Sequence, residues 1–388
     1  MQDMKILVVT QSFIPHQGGQ STHIEDLIHG LRINNFDVSL LSGQLFVLPV
    51  TVRGILFLRS LGSKSAYRYF VIRKTSERMI NAIRREISRG IQIIHCHDPI
   101  SCHAARRACE KERKSIKIVE TVHGPWASEI LMTIGSKFAD SKYLAKISCL
   151  EGEAANIADA IIAVDTGQKC DLINGYGINP EKIRIIYNSV NIDAIDQQPN
   201  SICRYPSEKP YVIVPRRLVR KNGVDVAIKA MQYLVDEGLE MWIVGSGPLM
   251  NELKYLAKSL GLDNVIRFLG GMDRADLFPI MRKAKAVIIP SIPNCGVIEA
   301  SSLSALEGMA LGRIVIATNI GGLAEIIKDK ETGILFSPGD SMMLAQTIQY
   351  VLANNNEISE IESRAKNEIQ NKYDSKAWIQ GIIEVYAK

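Results

Sequence analysis

Short runs rich in β-branched residues alternate with longer stretches of helical period along the whole chain. In the first half these runs fall at 5–11 (KILVVTQ), 37–42, 91–95, 116–122, 160–164 and 183–187, and each predicts a strand. Between them lie helical patterns such as STHIEDLIHGLRI, where Ile24, Leu27, Ile28 and Leu31 recur at the spacing of one helix face. A polar stretch with three prolines, from Ser189 to Pro210, interrupts the pattern. It restarts with strand signals at 211–215, 241–245, 265–270, 286–290, 313–318 and 333–336. Strictly alternating strands and helices predict α/β units with parallel sheets. The polar stretch predicts a linker, which divides the chain into residues 1–200 and 201–374. The last segment, 375–388 (SKAWIQGIIEVYAK), reads as an amphipathic helix that packs back on the first unit.

Composition agrees with two cores. The chain has 388 residues, 46% of them hydrophobic and 22% charged, and a single core stops growing at about 250 to 300 residues. The longest apolar stretch, Leu45 to Leu58, is broken by Pro49 and Arg53 and falls short of the ~20 residues a membrane-spanning helix needs. With Asp3 near the start and a short apolar core behind it, the N-terminus does not read as a signal peptide, so the expectation is a cytoplasmic protein. Cysteines at 96, 102, 109, 149, 170, 203 and 295 include no C-x-x-C pair, which argues against a disulfide framework and against a zinc site.

The net charge of +5 is unevenly spread. From Thr51 to Gly90 ten Lys or Arg stand against two Glu, a local balance of 10 − 2 = +8. Two readings stay open: a solvated helix face, or a surface that meets anionic lipid or a phosphorylated acceptor. The second makes the protein peripheral at the inner face of the cell membrane. No nucleic-acid partner is indicated.

In parallel sheets, ligands sit beyond the carboxyl ends of the strands, so the segments after each strand carry the candidate chemistry. After the first strand, Gly18 and Gly19 precede a helix, an arrangement that brings backbone N–H groups to an anion. A glycine-rich turn is the plain alternative. The G-x-G-x-x-G and G-x-x-x-x-G-K-[ST] fingerprints do not occur there, which disfavours a nicotinamide dehydrogenase, and GSGP at 245–248 reads as structural. His123 follows the strand 116–122 and is expected to reach the crevice, whereas His95 and His97 read as structural. In PRRLVRKNG (215–223), Arg216, Arg217, Arg220 and Lys221 follow a strand at once, a combination suited to a diphosphate.

VIEASSLSALEGMALG (297–312) holds Glu299 and Glu307. The pattern predicts a helix from Ala300 with Ser301 or Ser302 near its cap and Leu303, Leu306 and Ala310 on its buried side. Glu307 then lies ~12 Å beyond Glu299 along the axis at ~1.5 Å per residue. Glycosidase carboxylates straddle one bond at ~5 to 9.5 Å, so this pair fits two grips on one long ligand instead. A capping carboxylate plus a surface glutamate is the plain alternative.

Taken together, these residues resemble family 4 of the retaining nucleotide-sugar glycosyltransferases. The resemblance rests on Gly18-Gly19, Thr121 to Gly124 (T-x-H-G), Asn188 to Val190 (N-x-V), Arg217 to Gly223 (RLVRKNG), GSGP, Pro290-Ser291, Glu299 to Glu307 (E-x7-E) and Gly321 to Glu325 (GG-x-x-E). It implies the GT-B fold, α/β with two facing Rossmann-like domains, parallel sheets and a cleft between them. It further implies retaining transfer of a hexosyl group from a UDP- or GDP-sugar to a sugar or lipid-linked acceptor, in cell-surface polysaccharide or glycolipid synthesis. No cofactor and no metal are implied, and no Asp-x-Asp occurs. By resemblance, Gly18 and Gly19 meet the donor diphosphate, Arg217 and Lys221 neutralise it, His123 lies beside the transferred sugar, Glu299 holds sugar hydroxyls and Glu307 the ribose. Rivals of the same fold are a catalytically inactive nucleotide-sugar-binding protein, an epimerase and a phosphorylase. One departure stands out: Ala300-Ser301-Ser302 follows Glu299 where relatives commonly have Gly-Phe-Gly.

Overall fold

The structure, a computed structural model, describes residues 4–15, 18–134, 141–197 and 209–388. The expected boundary at residue 200, together with Pro199, Cys203 and Pro206, lies outside the described residues, as do His16 and Gln17 of the glycine loop.

All twelve runs with strand character form strands. The first sheet contains β1 (Lys5–Val9), β2 (Asp37–Leu41), β3 (Ile93–Cys96), β4 (Lys117–Val122), β5 (Ala160–Ala163) and β6 (Ile183–Ile185). The second contains β7 (Tyr211–Pro215), β8 (Glu240–Val244), β9 (Ile266–Gly270), β10 (Val287–Ile289), β11 (Val315–Thr318) and β12 (Ile334–Phe336). Their orders are β2-β1-β3-β4-β5-β6 and β12-β11-β10-β7-β8-β9, parallel throughout. Strands buried on both faces need apolar side chains pointing both ways, which is why their sequences read as continuous apolar runs. Ile6, Leu7, Val8 and Val9 are all fully buried, alternating between the two helical layers.

Each sheet has one point where strand order reverses, between β1 and β3 in the first and between β7 and β10 in the second. Loops leaving such neighbours diverge to opposite faces and open a crevice. The segments after β1, β3, β7 and β10 are those that carry Gly18-Gly19, His97, Arg216 to Lys221 and Glu299.

Three helices of the first unit matter below: α1 (Gly19–Ile33), α2 (Val50–Arg59) and α3 (Lys64–Ile87). The side chain of Ser63 caps α3 by accepting from Ala66 N at 3.2 Å, and Met79 and Ile83 bury its inner face.

The chain crosses between the units twice at one place. Val190 N donates to Tyr373 O at 2.9 Å, and Ser375 N donates to Val190 O at 3.0 Å. The C-terminal helix Ser375–Ala387 then lies on α1 and β4. Trp378, Ile379, Ile382, Ile383 and Tyr386 join the core beneath the first sheet, each such side chain contributing ~1.5–3 kcal/mol on burial. A Cβ on Gly30 would stand 3.0 Å from the Ile379 side chain, so the two helices meet closely there. Among the described residues, no helix is long and apolar enough to cross a membrane. The described cysteines are free thiols: Cys96, Cys102 and Cys109 are buried, and Cys149, Cys170 and Cys295 exposed.

Candidate active site

The carboxyl ends of the two sheets face each other across a cleft of about 2080 Å³. Gly18, Gly19, His123, Arg217, Lys221, Glu299 and Glu307 all line it.

On the wall from the second unit, the polar centre is a buried ion pair. Arg216 Nη2 stands 2.8 Å from Glu299 Oε2, with their side chains only 8% and 11% exposed. The same guanidinium donates to Ser302 Oγ at 3.0 Å, Asn222 Oδ1 at 2.7 Å and Ser291 Oγ at 3.0 Å. Burial alone would raise the Glu299 carboxyl, but Arg216, then Lys221, and hydrogen bonds from Arg216 and Ser291 bring it below its ordinary range. Glu299 is therefore a fixed carboxylate. Behind it, Gly322 N donates to Glu299 O at 2.9 Å. Gly321, at φ 45°, could carry no side chain, since a Cβ would lie 2.3 Å from Glu299 O. The GG-x-x-E motif thus shapes the Glu299 loop from behind, and its own Glu325 accepts from Thr166 N and Tyr187 Oη of the first unit.

Arg217, one position on from Arg216, is exposed in the cleft, and its guanidinium has no partner among the described residues. Lys221 Nζ reaches Glu129 Oε1 on the opposite wall at 2.9 Å, a half-exposed pair. GSGP is packed as a spacer: a Cβ on Gly245 or Gly247 would strike the carbonyl of Arg216 or Leu218.

The helix after Glu299 starts later than its pattern predicts. It runs Leu303–Ala310, with Ser302 at the cap position but making no side-chain cap bond. Ser301 and Ser302 are engaged elsewhere, which delays the helix. Ser301 Oγ donates to Val164 O at 2.8 Å and accepts from Asn188 N at 3.2 Å, while Asn188 Nδ2 donates to Ser301 O at 2.6 Å. Ser302 holds Arg216. The Ala-Ser-Ser departure therefore ties the Glu299 loop to the first unit and to its ion-pair partner. Leu303, expected on the buried side, is only half-buried and lines the cleft.

Glu307 is buried and is not a surface glutamate. Arg274 Nε donates to Glu307 Oε1 at 2.8 Å, and Arg274 Nη1 reaches both oxygens of Asp26, on α1, at 3.1 Å. Burial raises the Glu307 and Asp26 carboxyls, against the lowering pull of Arg274. One guanidinium thus spans two carboxylates, one from each unit.

Apart from Glu129 and Asp26, which face cations of the second unit, the part of the first unit's wall around Gly18 and His123 is built of neutral groups. Gly18, at φ 153°, caps α1 in a conformation that favours glycine and without a side-chain cap bond, and the first turn of the helix lines the cleft. Beside it, His123 Nε2 and His97 Nδ1 are hydrogen bonded at 3.1 Å, and His23 packs edge-on to His123 with ring centroids 4.6 Å apart. Burial, then the neighbouring imidazoles, hold His97 and His123 well below the ordinary histidine range, and burial lowers His23 to about 4. His95 behaves as expected of a structural residue, bonded to Tyr386 Oη and Thr121 Oγ1 at 2.7 Å each. His97, also buried, stacks on both His95 and His123 and lines the cleft. One ring nitrogen from each of His23, His97 and His123 lies within 4.8 Å of the others, a spacing that could hold a metal ion. Glu120, just before Thr121, is pushed up to about 8 by burial and by Asp98 and Glu151, so it too is neutral at pH 7.

Sequence reasoning missed Arg216 as the partner of Glu299, Arg274 as the partner of Glu307, Asp26 as the second carboxylate on Arg274, and Glu120. Asn188 was legible only as part of N-x-V, yet it makes three hydrogen bonds to two residues: its Oδ1 lies 2.9 Å from His23 Nδ1, while its backbone N and its Nδ2 donate to Ser301 Oγ and Ser301 O.

Comparison with known proteins covers both units. The profile of the glycosyl transferases group 1 matches residues 201–368, and that of glycosyltransferase family 4 matches residues 17–194. An uncharacterized glycosyltransferase of Methanocaldococcus jannaschii is 27% identical over 406 residues, covering 99% of this chain and 98% of its own. A glycogen synthase of Mycobacterium tuberculosis is 25% identical over 262 residues, 67% of this chain and 60% of that one. Among solved structures, a glycosyltransferase from Rickettsia africae superposes with a TM-score of 0.70 at 22% identity, covering 100% and 98% of the two chains. The Anabaena protein HepE in complex with UDP-glucose gives 0.72 at 19% identity, over 99% of each chain.

Proposed function

The chain belongs to the glycosyl transferases of group 1 and family 4, with the GT-B fold, and from that premise we propose that it moves a hexosyl group from a UDP- or GDP-sugar to a hydroxyl acceptor with retention of configuration. On this reading the acceptor belongs to cell-surface polysaccharide or glycolipid synthesis, the enzyme is cytoplasmic, and the reaction needs no metal. The first unit takes the acceptor and the second the donor.

The observation that carries the reading is the second wall. Glu299 is fixed and ionised by Arg216, while Arg217 and Lys221, in the segment that follows Arg216, offer cations to the same cleft. A carboxylate gripping sugar hydroxyls beside cations that face an anion fits a sugar diphosphate. In the reaction the bond between the sugar and the diphosphate breaks, and its electron pair goes to the phosphate oxygen. The acceptor oxygen bonds to the same sugar carbon from the same face, and its proton passes to the departing phosphate. Negative charge gathers on the diphosphate as it leaves, so prepositioned cations and N–H groups gain most at that moment. Each charge-assisted bond is worth ~1.5 to 3 kcal/mol. Arg217, Lys221 and the backbone of Gly18 and Gly19 supply them. Neutral His123 can bond a sugar hydroxyl without adding charge beside the reacting carbon.

Donor binding then exchanges two contacts: Lys221 leaves Glu129 for phosphate, and Arg274 yields Glu307 to the ribose hydroxyls. Thermal-shift titration against UDP- and GDP-hexoses tests this. The wild-type protein is expected to gain stability with one donor, and Arg217→Ala and Glu307→Ala to lose most of that gain. Unchanged shifts in both variants would refute the assignment. Turnover with a hydroxyl acceptor separates the enzyme from an inactive sugar-nucleotide binder, and NMR of the product anomer reads retention.

A further inference from the structure

The helix α2 is inside out for a soluble protein. A surface helix normally turns its apolar stripe to the core, yet Leu56 is the only buried residue of α2. At about 100° per residue, Phe57, Val50, Leu58 and Ile55 share one continuous arc of about 160°, and all four are exposed, Leu58 by 74%. Leu61, just past the helix end, is 94% exposed. Arg53 and Arg59 fall on either edge of that arc and Leu56 opposite its centre.

Charge points the same way. Between Val38 and Ser76 there is no Asp or Glu, whereas Arg53, Arg59, Lys64, Arg68, Arg73 and Lys74 all fall in it. Ordinary surfaces mix both signs. An apolar arc edged by arginines, whose stems can lie along the acyl boundary while their heads reach phosphate, matches the interfacial zone of an anionic bilayer. The same segment borders the cleft: Val47, Leu48, Arg53, Tyr67, Arg68 and Val71 are among the residues that line it.

We propose that α2 and the start of α3 seat this protein on an anionic lipid bilayer, with the cleft opening at the membrane surface to take an acceptor hydroxyl carried on a lipid. The docking face stands by itself, while the lipid-borne acceptor rests on the transferase reading above. Because the face borders the cleft, a docked molecule admits a headgroup without lifting it far from the bilayer.

Flotation of the full chain with vesicles separates the outcomes. Binding is expected with phosphatidylcholine mixed with phosphatidylglycerol, to fall steeply with salt, and to be weak with phosphatidylcholine alone. The triple variant Ile55→Glu/Leu58→Glu/Leu61→Glu should lose roughly tenfold or more in vesicle binding, and Arg59→Glu/Lys64→Glu should remove the preference for anionic lipid. Both should keep the wild-type thermal transition and the donor-induced shift, because neither touches the donor wall. Wild-type protein that ignores anionic vesicles, or a triple variant that floats like wild type, overturns the proposal. So does a wild-type dimer that the triple variant splits, because the face would then serve a second copy. Loss of the donor shift in unaltered protein, with vesicle binding intact, would instead count against the transferase reading alone.

Discussion

The two walls of the cleft handle polarity in opposite ways. The wall from the second unit keeps its groups charged by pairing them: Glu299 stays ionised because Arg216 stands 2.8 Å away. On the wall from the first unit, the cluster of His97, His123 and Glu120 stays neutral because it is buried without opposite charges. His123 and His97 lose their protons, and Glu120, held at about 8, keeps its own. The contrast shows how one cleft can hold a fixed charged cluster on one side and an uncharged hydrogen-bonding cluster on the other. Burial without a partner disfavours the charged form of acid and base alike. With a partner it fixes the charge in place.

Breaking the paired wall should have the largest effect. Arg216→Ala leaves Glu299 buried without its cation, which typically costs ~3–5 kcal/mol. A large fall in melting temperature together with loss of turnover is the expected result, and a variant as stable as wild type would show that the pair does not hold the wall.

Neutralising the other wall should act in the opposite direction. Glu120 has a folded pKa raised above its unfolded value, so the folded state binds the extra proton between the ordinary carboxyl range and about 8. Its contribution to stability is therefore best at low pH, declines as pH rises through that window, and stays at its least favourable above it. The slope is at most about 1.4 kcal/mol per pH unit. Glu120→Gln, which mimics the protonated form, should flatten this dependence and raise the melting temperature at pH 8 more than at pH 5. Equal shifts at both values would place the Glu120 proton elsewhere.

Next in size comes Arg217→Ala, one residue from Arg216 but exposed and unpaired among the described residues. It should slow turnover by roughly ten- to a hundredfold, from ~1.5 to 3 kcal/mol of lost transition-state stabilisation. The melting temperature without donor should not move. Adjacent arginines with opposite profiles, one structural and one kinetic, would sharpen the comparison; matching profiles would dissolve it. The smallest effect is expected from Ser301→Ala, which removes bonds to Val164 and Asn188. A loss of about 1 kcal/mol in chemical denaturation is expected, with little change in donor affinity.

Much of this was legible from the chain alone. All twelve strands follow from their apolar runs, because a parallel strand buried on both faces can hardly be written otherwise. Strand order is not in those runs, but the glycine pair, the basic turn and the two glutamates were already marked as segments that follow strands. They converge because all of them leave the same ends of parallel sheets. The late start of the helix at Leu303 was not legible, since Ser301 looks like a cap until Val164 and Asn188 arrive to occupy it.

What the sequence determined by itself is therefore periodicity and chemistry: where strands and helices run, and which side chains can carry charge. Tertiary structure alone decided which charges are paired. Arg216 and Arg217 are adjacent and chemically identical, and only the fold turns one inward to Glu299 and leaves the other facing the cleft. Arg274 and Asp26 stand far apart in the chain, yet both close on Glu307 or its partner. Periodicity is local and can be read along the chain. Ion pairing and burial depend on distances of a few ångströms between segments that meet only once both sheets are built.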